Sequence, residues 1–234
     1  MKLRPDQVSL LAAAAVTFAV WAVPWLRPIG LPLQYLNTII HELCHAFATV
    51  LTGGGVGVIN VYADGSGVTE SYGGALPVIV SAGYMGTALV GTALVAGSRT
   101  VASARQALTL AGVLVTAGCG IWLRADLIGL LAALVWILAF FLALRAPDGD
   151  WIRWVGQFLG IQLALTSVQA FQALFAVAHA GEHSDALLME EATRIPAVFW
   201  ATVWLGISLT GIGFGLYRAW TAPKPKRERM PWES

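Results

Sequence analysis

Long apolar runs separated by short polar connections are the feature that most restricts how this chain can fold. Most of the runs approach or exceed the roughly 18 apolar residues that a helix needs to cross a bilayer. Hydrophobic residues make up 57% of the chain and charged residues 12%, whereas a soluble domain has about 25% charged residues. The sequence therefore predicts an all-α polytopic membrane protein with six to seven transmembrane helices. The apolar runs are 8–26, 33–51, 76–96, 107–123, 127–144, 155–178 and 196–217.

The connections between these runs are too short to hold a second folded domain. Residues 1–220 are therefore predicted to form one integral membrane domain, and 221–234 a basic, disordered tail. Lysine and arginine favour the cytoplasmic side of a membrane, which places the tail in the cytoplasm. Either side of the membrane is compatible with the N-terminus, because run 33–51 either crosses the membrane fully or enters it and returns. The net charge of +1 gives no indication of nucleic-acid binding.

The second apolar run contains titratable side chains, which are costly at membrane depth unless they face a polar cavity or a metal. Residues 41–45 read H-E-x-x-H. On a helix, His41 and His45 are four residues apart and lie on one face. This spacing lets both imidazoles bind one Zn²⁺ ion, with Glu42 as the general base that takes a proton from water. The alternative is a chance match, in which these polar groups are satisfied between helices.

A polar segment between the motif and the next apolar run predicts a β-hairpin. Its valines favour strands, and Asp64-Gly65 is typical of a hairpin turn. An open strand edge binds an extended peptide by adding it to the sheet. We therefore interpret 57–72 as a clamp that holds an unwound segment of a membrane-protein substrate, with Val58 and Val68 as substrate-binding residues. The alternative is a loop that only covers the cavity.

The third apolar run contains several small residues. Ser81, Gly83, Gly86 and Gly91 lie in SAGYMGTALVG, and small residues allow helices to approach closely in lipid. This pattern predicts packing against the helix that carries His41 and His45. Tyr84 is either a hydrogen-bond donor to the cavity or part of the core.

Four blocks of the sequence resemble the site-2-protease-like intramembrane zinc metallopeptidases, and most closely their B-like branch of bacteria and plants. They read TIIHELCHAFATVLTGG, DGSGVTE, SAGYMGTALVG and HSDALLMEEATRIPAVFWATVW, and the resemblance extends from residue 37 to residue 204. It implies that His41 and His45 bind zinc and that Glu42 activates water. It also implies membrane-protein substrates, a location in the bacterial plasma membrane and contact with the lipid bilayer.

A catalytic zinc site usually has a third protein ligand, which the motif does not supply. The better-known branch of the resembling family takes it from a leucine-aspartate-glycine motif that this chain lacks. Asp148 precedes a glycine but lies in a charged connection, and we interpret it as part of a turn. The B-like branch has acidic residues near the end of the penultimate helix, where this chain has Gln169 and Gln172.

A Ser-Asp-Ala sequence does match the B-like pattern, so the resemblance makes Asp185 the candidate third ligand. The alternative is a structural role, with Ser184 as a helix N-cap and Asp185 in the first helical turn. His179, Glu182 and His183 lie nearby and are further candidates.

Three functions follow from these patterns. The first is a zinc-dependent intramembrane endopeptidase that cuts peptide bonds in or near the membrane segments of other proteins. The second is a catalytically inactive relative that binds a metal or a partner, which the glutamines at 169 and 172 favour. The third, a transporter or channel, requires further charged groups at membrane depth, and the main polar residues in the later runs are the uncharged glutamines Gln162, Gln169 and Gln172. The sequence does not indicate an oligomeric state.

Overall fold

Helices make up most of the computed structural model, which describes residues 3–23, 25, 27–124, 127–147, 149–165 and 184–221. One two-stranded hairpin lies between the second and third helices of this described part. The elements are α1 (Pro5–Ala22), α2 (Arg27–Leu51), β1 (Gly55–Val61), β2 (Gly67–Tyr72), α3 (Leu76–Gly97), α4 (Val101–Trp122), α5 (Leu127–Arg145), α6 (Asp150–Ala164), α7 (Asp185–Thr193) and α8 (Ala197–Thr221). The predicted helical fold and hairpin are confirmed.

Four of the described helices are long and apolar enough to cross a membrane, namely α3, α4, α5 and α8. The apolar part of α1 is shorter, Pro5–Val20, and α2 carries the polar motif. The predicted run 155–178 lies only partly within the described residues. The structure therefore defines a polytopic membrane protein with four candidate spans, and the count of six to seven is not confirmed.

The start of α1 and the end of α8 meet at one end of the helix bundle. The Arg4 side chain donates a hydrogen bond to the Trp220 carbonyl (2.8 Å) and pairs with Asp6 (3.1 Å). Arg99, just after α3, lies 3.9 Å from the same aspartate. The start of α1 and the end of α3 are thus at the same end. If α1 and α3 each cross the bilayer once, α2 and the hairpin enter the membrane from the opposite side and return to that same side.

Helix α2 packs antiparallel against α3. The Thr52 hydroxyl at the end of α2 accepts a hydrogen bond from the Ala75 amide (3.1 Å), just before α3. Further along, a Cβ atom on Gly86 would lie 2.7 Å from Cys44 Sγ, so α3 has room here only for glycine. The predicted packing of the small residues against the motif helix holds for Gly83 and Gly86. Gly91 instead faces α6, where a Cβ atom would lie 2.5 Å from the Gly160 carbonyl oxygen.

The hairpin closes at Asp64-Gly65, as its sequence predicts. Gly65 has a φ of 85°, which favours glycine, and the Tyr62 amide donates to the Ser66 carbonyl (2.9 Å). The Ser66 hydroxyl and amide donate to the Asp64 carboxylate (2.7 and 2.9 Å). These hydrogen bonds hold the pKa of the exposed Asp64 carboxyl below its usual value.

The hairpin lies along α2, and side chains of the helix fasten its turn. The Tyr35 hydroxyl donates to the Ala63 carbonyl (2.7 Å), and the Thr38 hydroxyl to the Gly65 carbonyl (2.6 Å). Ile59, in β1, is buried in the core on the other side. The hairpin is therefore held against the helix that carries the motif.

Candidate metal centre

His41, His45 and Asp185 converge at the contact between α2 and α7. The two Nε2 atoms of the histidines are 3.0 Å apart. Asp185 Oδ2 lies 3.1 Å from His41 Nε2 and 3.2 Å from His45 Nε2. All three residues offer ligand atoms within 4.8 Å of one another. The structure thus brings together the three residues that the sequence predicts as metal ligands.

The helical spacing of the two histidines explains half of this arrangement. Both imidazoles project from one face of α2, towards α3 and α7, because they are four residues apart. His45 Nδ1 lies 2.7 Å from the Ile79 carbonyl oxygen of α3. Since a carbonyl only accepts, Nδ1 donates to it, and Nε2 is the ring nitrogen of His45 that faces the cluster. An outer hydrogen bond of this kind commonly orients a metal-binding histidine.

Asp185 reaches the histidines because α7 begins at this residue. The Ser184 side chain accepts a hydrogen bond from the Leu187 amide (3.3 Å), which caps the helix. Ala186 and Met189 are buried against α3 and α8 and hold α7 in place. The two interpretations of Asp185 are therefore compatible. It occupies the first turn of a capped helix, and its carboxylate also faces both histidines.

The corner between α7 and α8 fixes this short helix. Arg194 ends α7 with a φ of 61°, in the left-handed region. The Glu190 carboxylate then accepts a hydrogen bond from the Ala197 amide (2.7 Å) at the start of α8. An anion at a helix N-terminus is favourable, so this contact joins the two helices. The position of Asp185 thus depends on packing and capping at both ends of α7.

Helix α3 supplies the wall on the other side of the histidines. A Cβ atom on Gly83 would lie 2.5 Å from His45 Nε2 and from His41 Cε1, so only glycine fits at this point. The ring of Tyr84 packs edge-on against His41, with centroids 4.6 Å apart, and lies 5.7 Å from Trp204. Tyr84 therefore lines the cluster, between a candidate ligand and the core formed by α8.

Glu42 lies beside the cluster but faces the hairpin. Its exposed fraction is only 5%. The Thr69 hydroxyl in β2 donates to Glu42 Oε2 (2.7 Å) and to the Glu42 carbonyl (3.0 Å). Sequence reasoning missed Thr69. The one signal that points to it is the strand alternation that places residues 67, 69 and 71 on one face.

The predicted substrate-binding residues lie in the hairpin, one on each strand. Val58 is half-buried in β1, next to a shift of register between Val56 and Ile59. Val68 is 47% exposed in β2, on the face opposite Thr69. A role for either valine in binding a substrate stays a prediction.

The geometry fits a zinc ion. Two ligand atoms about 2.1 Å from a tetrahedral zinc are about 3.4 Å apart, close to the separations of 3.0 to 3.2 Å in this cluster. Two imidazole nitrogens and one carboxylate oxygen are also the donor set of catalytic zinc sites. The Nε2 atoms of both histidines face one carboxylate oxygen, and a shared cation would bind all three atoms. The remaining candidates Asp148, Gln169, Gln172, His179, Glu182 and His183 lie outside the described residues.

Apolar helices long enough to cross a membrane, together with a His-His-Asp cluster beside a buried glutamate, define a membrane protein with a candidate metal centre. The family model described as Peptidase M50B-like matches residues 10–215 of the chain. The chain therefore belongs to the Peptidase M50B-like family, and the resemblance to site-2-protease-like proteins is confirmed. Searches among curated proteins and among solved structures gave no match.

Proposed function

We propose that the protein is a zinc-dependent intramembrane endopeptidase. The observation that carries this proposal is the convergence of His41, His45 and Asp185, with their ligand atoms within 4.8 Å of one another. Glu42 follows the first histidine directly, as the general base of an H-E-x-x-H site does. Membership of a peptidase family and the candidate spans support the same activity.

The proposed chemistry assigns a separate role to each residue. His41, His45 and Asp185 would hold the ion, and Ile79 would keep the second histidine in the correct tautomer. Bound zinc supplies a Lewis acid that brings the pKa of a water molecule to about 7. Glu42 would take a proton as this water attacks the scissile carbonyl, and would then give the proton to the leaving amine.

The hairpin has a strand edge to which an extended substrate segment could bind. The Arg124 amide, after α4, donates to the Ile59 carbonyl (2.9 Å) and occupies the outer edge of β1. Tyr62 and Ser66 form a hydrogen-bonded pair, so alternation along the ladder directs the backbone groups of Gly67 and Thr69 outwards from β2. We therefore place an extended substrate segment on the outer edge of β2.

Proline at Val68 is expected to reduce cleavage strongly without removing zinc. Val68 lies opposite Asn60, where alternation places hydrogen bonds between the strands, and proline removes the amide and distorts β2. Val58→Pro should act in the same way on β1. The zinc ligands lie on α2 and α7 and should be unaffected. Cleavage rate and zinc content measure the two effects, with Val68→Thr as a control that keeps the amide. Normal cleavage by Val68→Pro would show that the strand has no part in substrate binding.

Metal depletion tests the proposed activity. The purified protein is mixed in detergent with fluorescein-labelled casein, an unstructured chain, and with a tagged single-span membrane protein. We expect cleavage by the zinc-loaded protein, loss of cleavage after chelation, and recovery on adding zinc. A protein that binds zinc but cuts neither probe would instead support the catalytically inactive relative as its function.

The location follows from the same proposal. We place the protein in the bacterial plasma membrane with the C-terminal tail in the cytoplasm, because the tail is rich in lysine and arginine. Arg4 contacts the end of α8, so the N-terminus would lie on the cytoplasmic side as well.

A further inference from the structure

Thr69 contacts the proposed general base through its side chain. Its hydroxyl lies 2.7 Å from Glu42 Oε2, a short distance typical of a hydrogen bond to a carboxylate. The same hydroxyl lies 3.0 Å from the Glu42 carbonyl oxygen. Because a hydroxyl has one proton, the carboxylate and the carbonyl share this donor. The contact fixes both the position and the rotamer of the glutamate.

Neighbouring residues of β2 close the other side of the glutamate. A Cβ atom on Gly67 would lie 2.9 Å from Glu42 Oε1, so the strand approaches the carboxylate as closely as glycine allows. Two residues beyond Thr69, the Ser71 hydroxyl lies 2.9 Å from the Thr49 hydroxyl of α2. Residues 67, 69 and 71 thus form one face of the strand, which covers α2 along the motif.

The backbone of Thr69 is directed differently from its side chain. Thr69 pairs with Ile59 at a position without hydrogen bonds between the strands, so its N–H and C=O groups point to the outer edge of β2. This edge is where the proposed function places the substrate. A single residue therefore touches the general base with its hydroxyl and faces the substrate position with its backbone.

We propose that Thr69 is a positioning residue that aligns the Glu42 carboxylate with a substrate strand bound to β2. This inference rests on the proposed endopeptidase function. The Thr69 hydroxyl holds one carboxylate oxygen, Oε2, and so sets the orientation of the group that takes the proton from water. Because the hydroxyl and the edge belong to one residue, the register of the bound peptide is tied to the position of the base.

A purely structural role for Thr69 predicts different behaviour. The turn of the hairpin is already fastened to α2 by the hydrogen bonds of Tyr35 to Ala63 and of Thr38 to Gly65. Removal of one hydroxyl from Thr69 should therefore leave the hairpin in place. Valine has nearly the shape of threonine but lacks the hydroxyl, whereas serine keeps the hydroxyl and loses only a methyl group.

Cleavage of fluorescein-labelled casein by the zinc-loaded wild type, Thr69→Val, Thr69→Ser and Glu42→Gln tests the inference. We expect Thr69→Val to lower kcat roughly 10- to 100-fold with KM changed by no more than about twofold, since a misplaced base slows the chemical step. Thr69→Ser should recover most of the rate. In infrared spectra, the carboxylate band that Glu42→Gln removes should shift in Thr69→Val and return in Thr69→Ser.

The outcomes separate this inference from the function on which it rests. Wild-type kcat and an unmoved carboxylate band in Thr69→Val would overturn it, provided that Glu42→Gln is inactive. Equal losses in Thr69→Val and Thr69→Ser, or a change in KM alone, would also overturn it in favour of a structural role. If Glu42→Gln cleaves casein as fast as the wild type, the proposed function itself is wrong.

Discussion

Glu42→Gln is expected to abolish peptide cleavage while the protein keeps its zinc. General-base catalysis contributes about 10²- to 10⁴-fold to a rate, and glutamine cannot take a proton from water. Glutamine has the size of glutamate and still accepts the hydrogen bond of the Thr69 hydroxyl, so the packing of α2 against the hairpin should persist. Cleavage of casein and zinc content per chain, measured on the same preparation, give the two values to compare.

Glu70→Gln is the matched control for this variant. Glu70 also lies beside Thr69, but it is exposed on the opposite face of β2. The same change of charge at this position should leave cleavage close to the wild-type rate. Full activity of Glu42→Gln would contradict the proposed base. Loss of zinc in this variant would show instead that the glutamate contributes to the metal centre.

Gly83→Ala is expected to remove or greatly weaken zinc binding. A methyl group at this position would lie 2.5 Å from His45 Nε2, one of the atoms proposed to bind the ion. The imidazoles cannot give way freely, because His45 Nδ1 is held by the Ile79 carbonyl (2.7 Å). We expect zinc affinity to fall by at least the roughly 10- to 100-fold that follows the loss of an outer-shell contact. Competition with a chelating dye measures this affinity.

Two further substitutions control for effects of the added methyl group. Gly86→Ala places it 2.7 Å from Cys44 Sγ, on the same helix but away from the imidazoles, so it should strain the contact with α2 and keep zinc. Gly206→Ala, in α8, has no described atom within 4 Å of its Cβ position, so it should leave zinc affinity unchanged and slightly stabilise the helix. Equal zinc affinity in Gly83→Ala and the wild type would contradict the geometry of the site.

Local patterns in the sequence correctly predict the local parts of the structure. His41 and His45 share a helical face because of their spacing, and this holds for any straight α-helix that contains them. The turn at Asp64-Gly65 depends on the conformational freedom of one glycine, whose φ is 85°. These features need only nearby residues, so the pattern is sufficient to predict them.

Contacts between distant segments could not be derived from spacing. Asp185 lies 144 residues after His41, and its approach depends on how α7 packs between α3 and α8. Only resemblance to a family selected this residue. The contact of Thr69 with Glu42 joins residues 27 apart, through a strand whose face towards α2 is set by the register of the hairpin. The alternation of residue types along the sequence does not indicate this register.

The small residues of α3 are a further case in which the sequence predicts a type of contact but not the contacting segment. Small residues predict that another helix approaches closely, but not which helix. Gly83 and Gly86 face α2, as expected, whereas Gly91 faces Gly160 of α6. Gly91 is five residues after Gly86, which is about 140° around the helix axis, so α3 presents glycine to two different neighbours.

The number of zinc ions per chain, determined by elemental analysis of detergent-purified protein, shows whether His41, His45 and Asp185 hold a metal. We expect about one zinc in the wild type and none in His41→Ala or Asp185→Ala, because a catalytic site has three protein ligands. Circular dichroism of each variant verifies that its helices remain. A wild type that carries no zinc and cannot be loaded with it would contradict the account. Retention of zinc by Asp185→Ala would contradict the assignment of this aspartate as the third ligand.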